Sequence, residues 1–89
     1  MKMNPSFVLR EIYHTFLLVP IRKNSISKDV IALNDTAAMI FQKCEKAESA
    51  HTLAEILAEE FLDIPAEEVI GKLEPYIETL IEQKLLVGE

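Results

Sequence analysis

The sequence predicts an α+β domain of the winged-helix type, in which a three-stranded antiparallel sheet precedes three helices. Two patterns in the chain predict this fold class. The first third contains short runs rich in β-branched and aromatic residues, which are typical of strands. From Asn34 onward the apolar residues recur at every third or fourth position, which is the period of a helix buried on one side. A chain of 89 residues has the length of one small domain, so we expect a single domain over residues 1–89.

The predicted sheet has strands at about residues 6–12, 15–21 and 29–33, with a polar loop at 22–29. The first two strands are so close in the chain that they indicate a hairpin. Pairing should end or bulge near Pro20, because proline has no N–H to donate to a neighbouring strand. If the strands are arranged in chain order, the third lies at an edge of the sheet, where its backbone N–H and C=O groups are open to an added strand.

The predicted helices span about residues 35–46, 52–61 and 65–84. Asn34 or Asp35 can cap the first helix, because a short side-chain oxygen accepts a hydrogen bond from a free N–H of the first turn. Thr52 followed by Glu55 forms a capping box that predicts the start of the second helix.

The third helix is predicted to begin at Pro65, since proline is favoured in the first helical turn. Pro75 lies inside this helix, where its ring removes one hydrogen bond and crowds the carbonyl of Gly71. We interpret this as a kink within one helix. The buried face of the third helix is predicted to consist of Val69, Leu73, Tyr76 and Leu80.

The sequence offers little for catalysis. A single cysteine excludes an internal disulfide, and one cysteine with two histidines is too few for a zinc site of the usual spacing. Cys44 lies on the apolar face of the first helix and is predicted to be a core residue. His14 and His51 are predicted to be solvated residues of turns. We therefore expect a protein that is not an enzyme and holds no cofactor or metal.

Charge and hydropathy exclude further classes. The longest apolar run, residues 15–21, is far shorter than the ~20 residues of a membrane span. No signal peptide opens the chain, so the sequence predicts a cytoplasmic protein that does not bind membranes. The alternative of a winged-helix DNA-binding regulator is disfavoured, because the net charge is −6 and the third helix is acidic. Its acids are Glu67, Glu68, Glu74, Glu78 and Glu82.

Two interpretations remain for the apolar line Ile70, Ile77 and Ile81 on the third helix. These side chains can pack on the other helices or in a homodimer, as in a homodimerisation module. Alternatively, they and the edge of the third strand form the walls of a groove for a peptide that is added as an extra strand. The physics of the residues alone leaves both open.

The order and spacing of several segments resemble the PqqD family. These segments are residues 7–12, 16–20, 30–38 and 52–56, together with Val69, Leu73, Tyr76, Leu80, Leu85 and Leu86. The resemblance implies a small winged-helix-like chaperone, also called a precursor recognition element. Such a domain binds the leader segment of a ribosomally made precursor peptide. It then presents the precursor to a maturase, often a radical S-adenosylmethionine enzyme.

The resemblance also implies where the leader binds. It would add as a strand to the third strand and lie against the third helix, with no nucleic acid involved. The implied contacts are Val30, Ile31, Ala32, Leu33, Ile70, Leu73, Glu74, Ile77 and Ile81. A leader with basic residues would be complementary to Glu74, Glu78 and the acids near them.

Three positions depart from the family pattern. Many relatives carry a glycine after the first helix and another before the final pair of leucines, where this chain has Lys46-Ala47 and Lys84. Pro75 is also outside the pattern. The departures leave the predicted fold unchanged, but they bear on the shape of the groove and on which precursor is bound.

Overall fold

The computed structural model describes residues 1–21 and 30–88. Its strands are β1 (Lys2–Met3), β2 (Phe7–Ile12), β3 (Thr15–Pro20), β4 (Ile31–Leu33) and β5 (Leu86–Val87). Its helices are α1 (Asp35–Lys43), α2 (Ala50–Ala58) and α3 (Ala66–Glu82), with a single 3-10 turn at Cys44–Lys46 after α1. Three paired strands followed by three helices confirm the predicted α+β fold class.

The main sheet is antiparallel in the order β2-β3-β4. Tyr13 and His14 form the two-residue turn of the β2–β3 hairpin, with φ angles of 50° and 65°. Positive φ at both central residues matches the right-handed twist of the strands, so the hairpin closes without the usual Asn-Gly. β4 pairs with β3 through Leu18 opposite Ile31 and Phe16 opposite Leu33, and it lies at an edge of the sheet.

The predicted strand ends differ slightly from the structure. The second strand ends at Pro20, consistent with the missing N–H of proline. The third strand is shorter than predicted, because it begins at Ile31 and Val30 precedes it. Asp29, and the loop predicted at 22–29, lie outside the described residues.

A second, two-stranded sheet was not predicted. β1 pairs with β5, so the two ends of the chain meet. The Asn4 side chain secures this junction by donating from Nδ2 to the carbonyl of Lys84 at 2.7 Å, and its backbone N–H donates to the carbonyl of Leu85 at 3.0 Å. Strands of two residues are too short for an alternating pattern, so the sequence contains no signal for them.

The caps decide where the first two helices begin. Asn34 is the cap of α1, and its Oδ1 accepts from the N–H of Ala37 at 2.8 Å. The predicted start of α2 at Thr52 is wrong, because Ser49 is the cap and accepts from the N–H of Thr52 at 3.2 Å. The helix therefore begins at Ala50, inside the segment that the sequence assigned to a loop.

α3 is one helix with Pro75 in its interior. Both Pro75 and Gly71 are exposed, so the Gly71 carbonyl that loses its partner can bind water instead. α3 ends in a Schellman motif, in which the N–H of Leu85 donates to the carbonyl of Leu80 at 3.0 Å. Among the described residues, no helix is both long enough and apolar enough to cross a bilayer.

The core lies where the three helices pack on β3 and on the ends of the chain. Its fully buried side chains are Leu18, Ile40, Cys44, Leu53, Leu57, Ile77 and Leu86. Burial confirms that Cys44 is a core residue, and desolvation raises the pKa of its thiol. The buried face of α3 contains Ile77, whereas the predicted Tyr76 is only half-buried.

Candidate functional site

β4 presents one long side to a neighbouring strand and leaves the other open within the described part of the sheet. Ile31 and Leu33 are half-buried and pack against the core, whereas Ala32 between them is exposed. Val30, directly before the strand, is 51% exposed. The edge is therefore a backbone surface that is held in place by apolar contacts on one face only.

A pocket of about 180 Å³ lies between the first turn of α1, which follows β4 in the chain, and α3. Thr36 of α1 lies in its wall and follows Leu33, the last residue of β4, by three positions. The lining residues are Thr36, Phe61, Ile64, Glu68, Val69, Lys72 and Leu73. Four of these are apolar, so the pocket is a hydrophobic recess with polar groups in its wall.

The connection between α2 and α3 supplies one side of the pocket. The sequence predicted α2 to continue to Phe61, but the helix ends at Ala58. Successive N–H groups at Glu59, Glu60 and Phe61 bond the carbonyls three residues back, which tightens the last turn and turns the chain out of the helix. As a result, Phe61 and Ile64 come from a loop and face the pocket.

Helical spacing on α3 supplies the other side. Glu68 and Lys72 are four residues apart, as are Val69 and Leu73, so each pair lies on one stripe of the helix. Val69 and Leu73 are buried, whereas Glu68 and Lys72 are exposed. The buried pair therefore forms the floor of the pocket, and the charged pair lies at its mouth.

The structure separates the predicted α3 contacts into two groups. Leu73 lines the pocket. Ile77 has no exposed area, so its side chain belongs to the core and cannot contact a peptide on this surface. The predicted contact at Ile77 is therefore corrected, because the apolar line that suggested a groove is partly the packing face of the helix.

Ile70, Glu74 and Ile81 are half-buried on the side of α3 that faces α2. This orientation follows from the contact of Glu74 with His51 of α2, in which Nδ1 lies 2.7 Å from Oε1. Nε2 of His51 also lies 3.7 Å from Oε1 of Glu55. The hydrogen bond to Glu74 and the nearby negative charge raise the pKa of His51.

Most of the pocket wall was not predicted from the sequence. The residues not anticipated as contacts are Thr36, Phe61, Ile64, Glu68, Val69 and Lys72. One signal was available, since Leu62 and Ile64 are apolar residues in the short segment between the predicted second and third helices. In the described ranges 1–21 and 30–88, no group of three or more His, Cys, Asp or Glu side chains could hold a metal ion.

Comparison with known protein families gives a match. The family model described as coenzyme PQQ synthesis protein D (PqqD) matches residues 16–86. The chain belongs to the PqqD family. The match covers β3 to β5, and so it includes the edge strand and every residue of the pocket in this PqqD-family protein.

A solved structure is also similar to this PqqD-family chain. It is TbiB1 in complex with the TbiA(beta) leader peptide, with a TM-score of 0.70 and 17% sequence identity. The alignment covers 100% of this chain and 98% of that one, so the similarity of fold extends over the whole domain. No curated protein matches the chain.

Proposed function

We propose that this protein is a noncatalytic chaperone that binds the leader segment of a ribosomally synthesised precursor peptide and presents it to a modifying enzyme. The observation that carries the proposal is the open edge of β4 in a PqqD-family fold, together with an apolar pocket whose wall includes Thr36, three residues after β4. TbiB1, which is similar in fold, was solved with a leader peptide, and this supports the same class of ligand here. We assign the function to residues 1–89 as one domain.

The leader binds by strand addition to β4. Val30, Ile31, Ala32 and Leu33 offer backbone groups along the edge, and an extended peptide can pair with them as the sheet strands pair with each other. Backbone pairing supplies affinity that does not depend on sequence. It therefore needs a second element to select one peptide.

The pocket is that second element. An engineered apolar cavity of about 150 Å³ binds benzene, so a pocket of about 180 Å³ has room for one aliphatic or aromatic side chain. Thr36 in the pocket wall follows the last residue of β4 by three positions, so we expect a strand added along β4 to reach the pocket with one side chain. Leu73 is the predicted helix contact that takes part.

Ile70, Glu74 and Ile81 lie on the side of α3 nearer α2, so we assign them a supporting part. They hold α3 against its neighbours and thereby fix the wall of the pocket. Ile77 acts in the same way from the core.

The modifying enzyme is the second partner. A radical S-adenosylmethionine enzyme is the class that the family suggests, and a cytoplasmic site is where it would meet a newly made precursor. Holding the leader while contacting the enzyme makes the modification step effectively intramolecular, which raises the local concentration of the precursor. No chemistry is required of the chaperone itself.

An amide NMR titration tests the proposal. The probe is a synthetic copy of the N-terminal half of a short peptide encoded beside the gene. We expect shifts at Ile31–Leu33 and at the pocket residues of α3, with none along β2, the opposite edge of the same sheet. Shifts confined to β2 or to the β1–β5 sheet, or no shifts at all, would contradict the proposal.

N-methylated copies of the peptide separate strand addition from simple pocket binding. In an antiparallel pair, alternate residues direct their N–H groups toward the neighbouring strand. Methylating one alternate set of amides should abolish binding, while methylating the other set should leave it nearly unchanged. Equal tolerance of both sets would refute pairing with β4.

A further inference from the structure

A basic residue lies at the mouth of the pocket, although the helix that carries it is otherwise acidic. α3 contains five glutamates and one basic residue, Lys72, and that one residue lies at the pocket. The ion pairs of the described chain join Lys43 to Glu60 and His51 to Glu55 and Glu74, so Lys72 takes part in none of them. The single cation of an acidic helix is thus placed beside the apolar recess.

We infer that Lys72 makes this protein select leaders in which an acidic residue lies two positions from the apolar side chain that fills the pocket. The inference rests on the proposed function, and it names the class of peptide that the same site accepts. It replaces the expectation of a basic leader, which was drawn from Glu74 and Glu78. Glu74 already contacts His51 and lies on the side of α3 toward α2.

The spacing follows from strand and helix geometry. In an added strand, side chains two residues apart lie on the same face, separated by about 6.6–6.8 Å. The four residues from Glu68 to Lys72 rise by about 6 Å along the helix, and both lie at the pocket. A peptide that runs along α3 with its anchor between them therefore places its second-neighbour side chains a few ångströms past Glu68 and Lys72, within reach of these long side chains.

Glu68 makes the selection sharper. A basic residue near Lys72 meets repulsion, and an acidic residue near Glu68 does the same. The two residues therefore discriminate between leaders by the sign of the charge and by the side of the anchor on which that charge lies. Such exposed pairs contribute modestly, since measured values are about 0.2–1 kcal/mol, which corresponds to roughly 1.4- to 5-fold in affinity.

A selection experiment with random peptides tests the inference. The probe is a phage-displayed library of random twelve-residue peptides, selected on the intact protein. With the wild-type chain we expect enrichment of Asp or Glu two positions from an aliphatic or aromatic residue. Lys72→Gln should lose this preference, and Lys72→Glu should enrich Lys or Arg at the same position.

A matched control and a charge swap complete the test. Lys46→Gln removes an exposed lysine that follows the far end of α1 from Thr36, and it should keep the wild-type preference. For one selected peptide, changing its acid to lysine should weaken binding to wild type about two- to five-fold and strengthen binding to the Lys72→Glu variant.

Two results overturn the inference in distinguishable ways. If the wild-type protein and Lys72→Glu select peptides of the same charge, Lys72 does not determine specificity, although peptide binding itself stands. If the wild-type protein selects no extended peptides, both the proposed function and this inference fail.

Discussion

Lys84 shows how a single residue can conflict with the backbone that it must adopt. Its φ angle is 62°, in the left-handed region, because it is the residue that reverses the chain after α3. The reversal satisfies the last carbonyls of the helix through the N–H groups of Lys84 and Leu85. Glycine is the usual residue here since it has no Cβ to clash, and many relatives in the family were expected to carry it.

Replacing Lys84 by glycine should therefore stabilise the protein. The left-handed conformation costs a residue with a Cβ about 1–2 kcal/mol, and the greater freedom of unfolded glycine cancels about half of that. We expect the free energy of unfolding to rise by about 0.5–1 kcal/mol in urea titrations.

Lys84→Ala is the matched control for this substitution. It removes the same charge but keeps the Cβ, so it should give no gain. A gain of equal size in both variants would assign the effect to charge rather than to the backbone.

Two sides of α3 contact different parts of the molecule. One side carries Glu68 and Lys72 at the pocket, and the other carries Glu74 toward α2. The hydrogen bond of Glu74 with His51 connects the first turn of α2 to the middle of α3. The buried face of α3, which consists of Val69, Leu73, Ile77 and Leu80, sets the orientation of the helix about its axis, and the contact with His51 adds a link at the surface.

The link between α2 and α3 should weaken as pH rises. The pKa of His51 is raised in the folded state above its usual 6.5, so its contribution to stability is fully present below that value. It is lost as pH rises through the folded pKa, when the imidazole gives up its charge. Urea unfolding at pH 5.5 and pH 8.5 should show His51→Gln to be less stable than wild type at the lower pH and nearly equal to it at the higher.

His14→Asn serves as the comparison. His14 is exposed in the β2–β3 turn, and asparagine tolerates its left-handed backbone. This variant should show the same change with pH as wild type. If His51→Gln also behaves like wild type at both pH values, the contact with Glu74 does not stabilise the fold.

At the scale of the whole molecule, stability depends on a small apolar core. Ile77 has no exposed area and belongs to the main apolar core, whereas Ile81, four residues later, is half-buried. A domain of this size buries a limited apolar surface, so one fully buried side chain is a large share of its stability.

Shortening Ile77 should therefore destabilise the protein far more than shortening Ile81. Ile77→Ala should lower the free energy of unfolding by about 2–5 kcal/mol, since it removes a buried side chain and leaves a cavity. Ile81→Ala, the matched control, should lose clearly less. Equal losses in urea titrations would show that Ile77 is not the more deeply packed of the two.

Much of the fold could be predicted from the sequence because it depends on local periodicity. Asn34 or Asp35 predicts the cap of α1, and the apolar period that follows predicts one buried face; in the structure Asn34 is the cap and one face is buried. The β2–β3 hairpin and the edge position of β4 follow from short strands in chain order. The family resemblance was confirmed by the match over residues 16–86.

The candidate site could be predicted only in part, since it depends on how the elements turn toward each other. The edge residues 30–33 are consecutive, so the sequence alone could name them. The pocket joins Thr36, Phe61 and Lys72, which are distant in the chain and meet only when α1, the α2–α3 loop and α3 pack. Periodicity identifies the stripes of α3, but only tertiary packing decides which stripe is core, which contacts α2 and which lines the pocket.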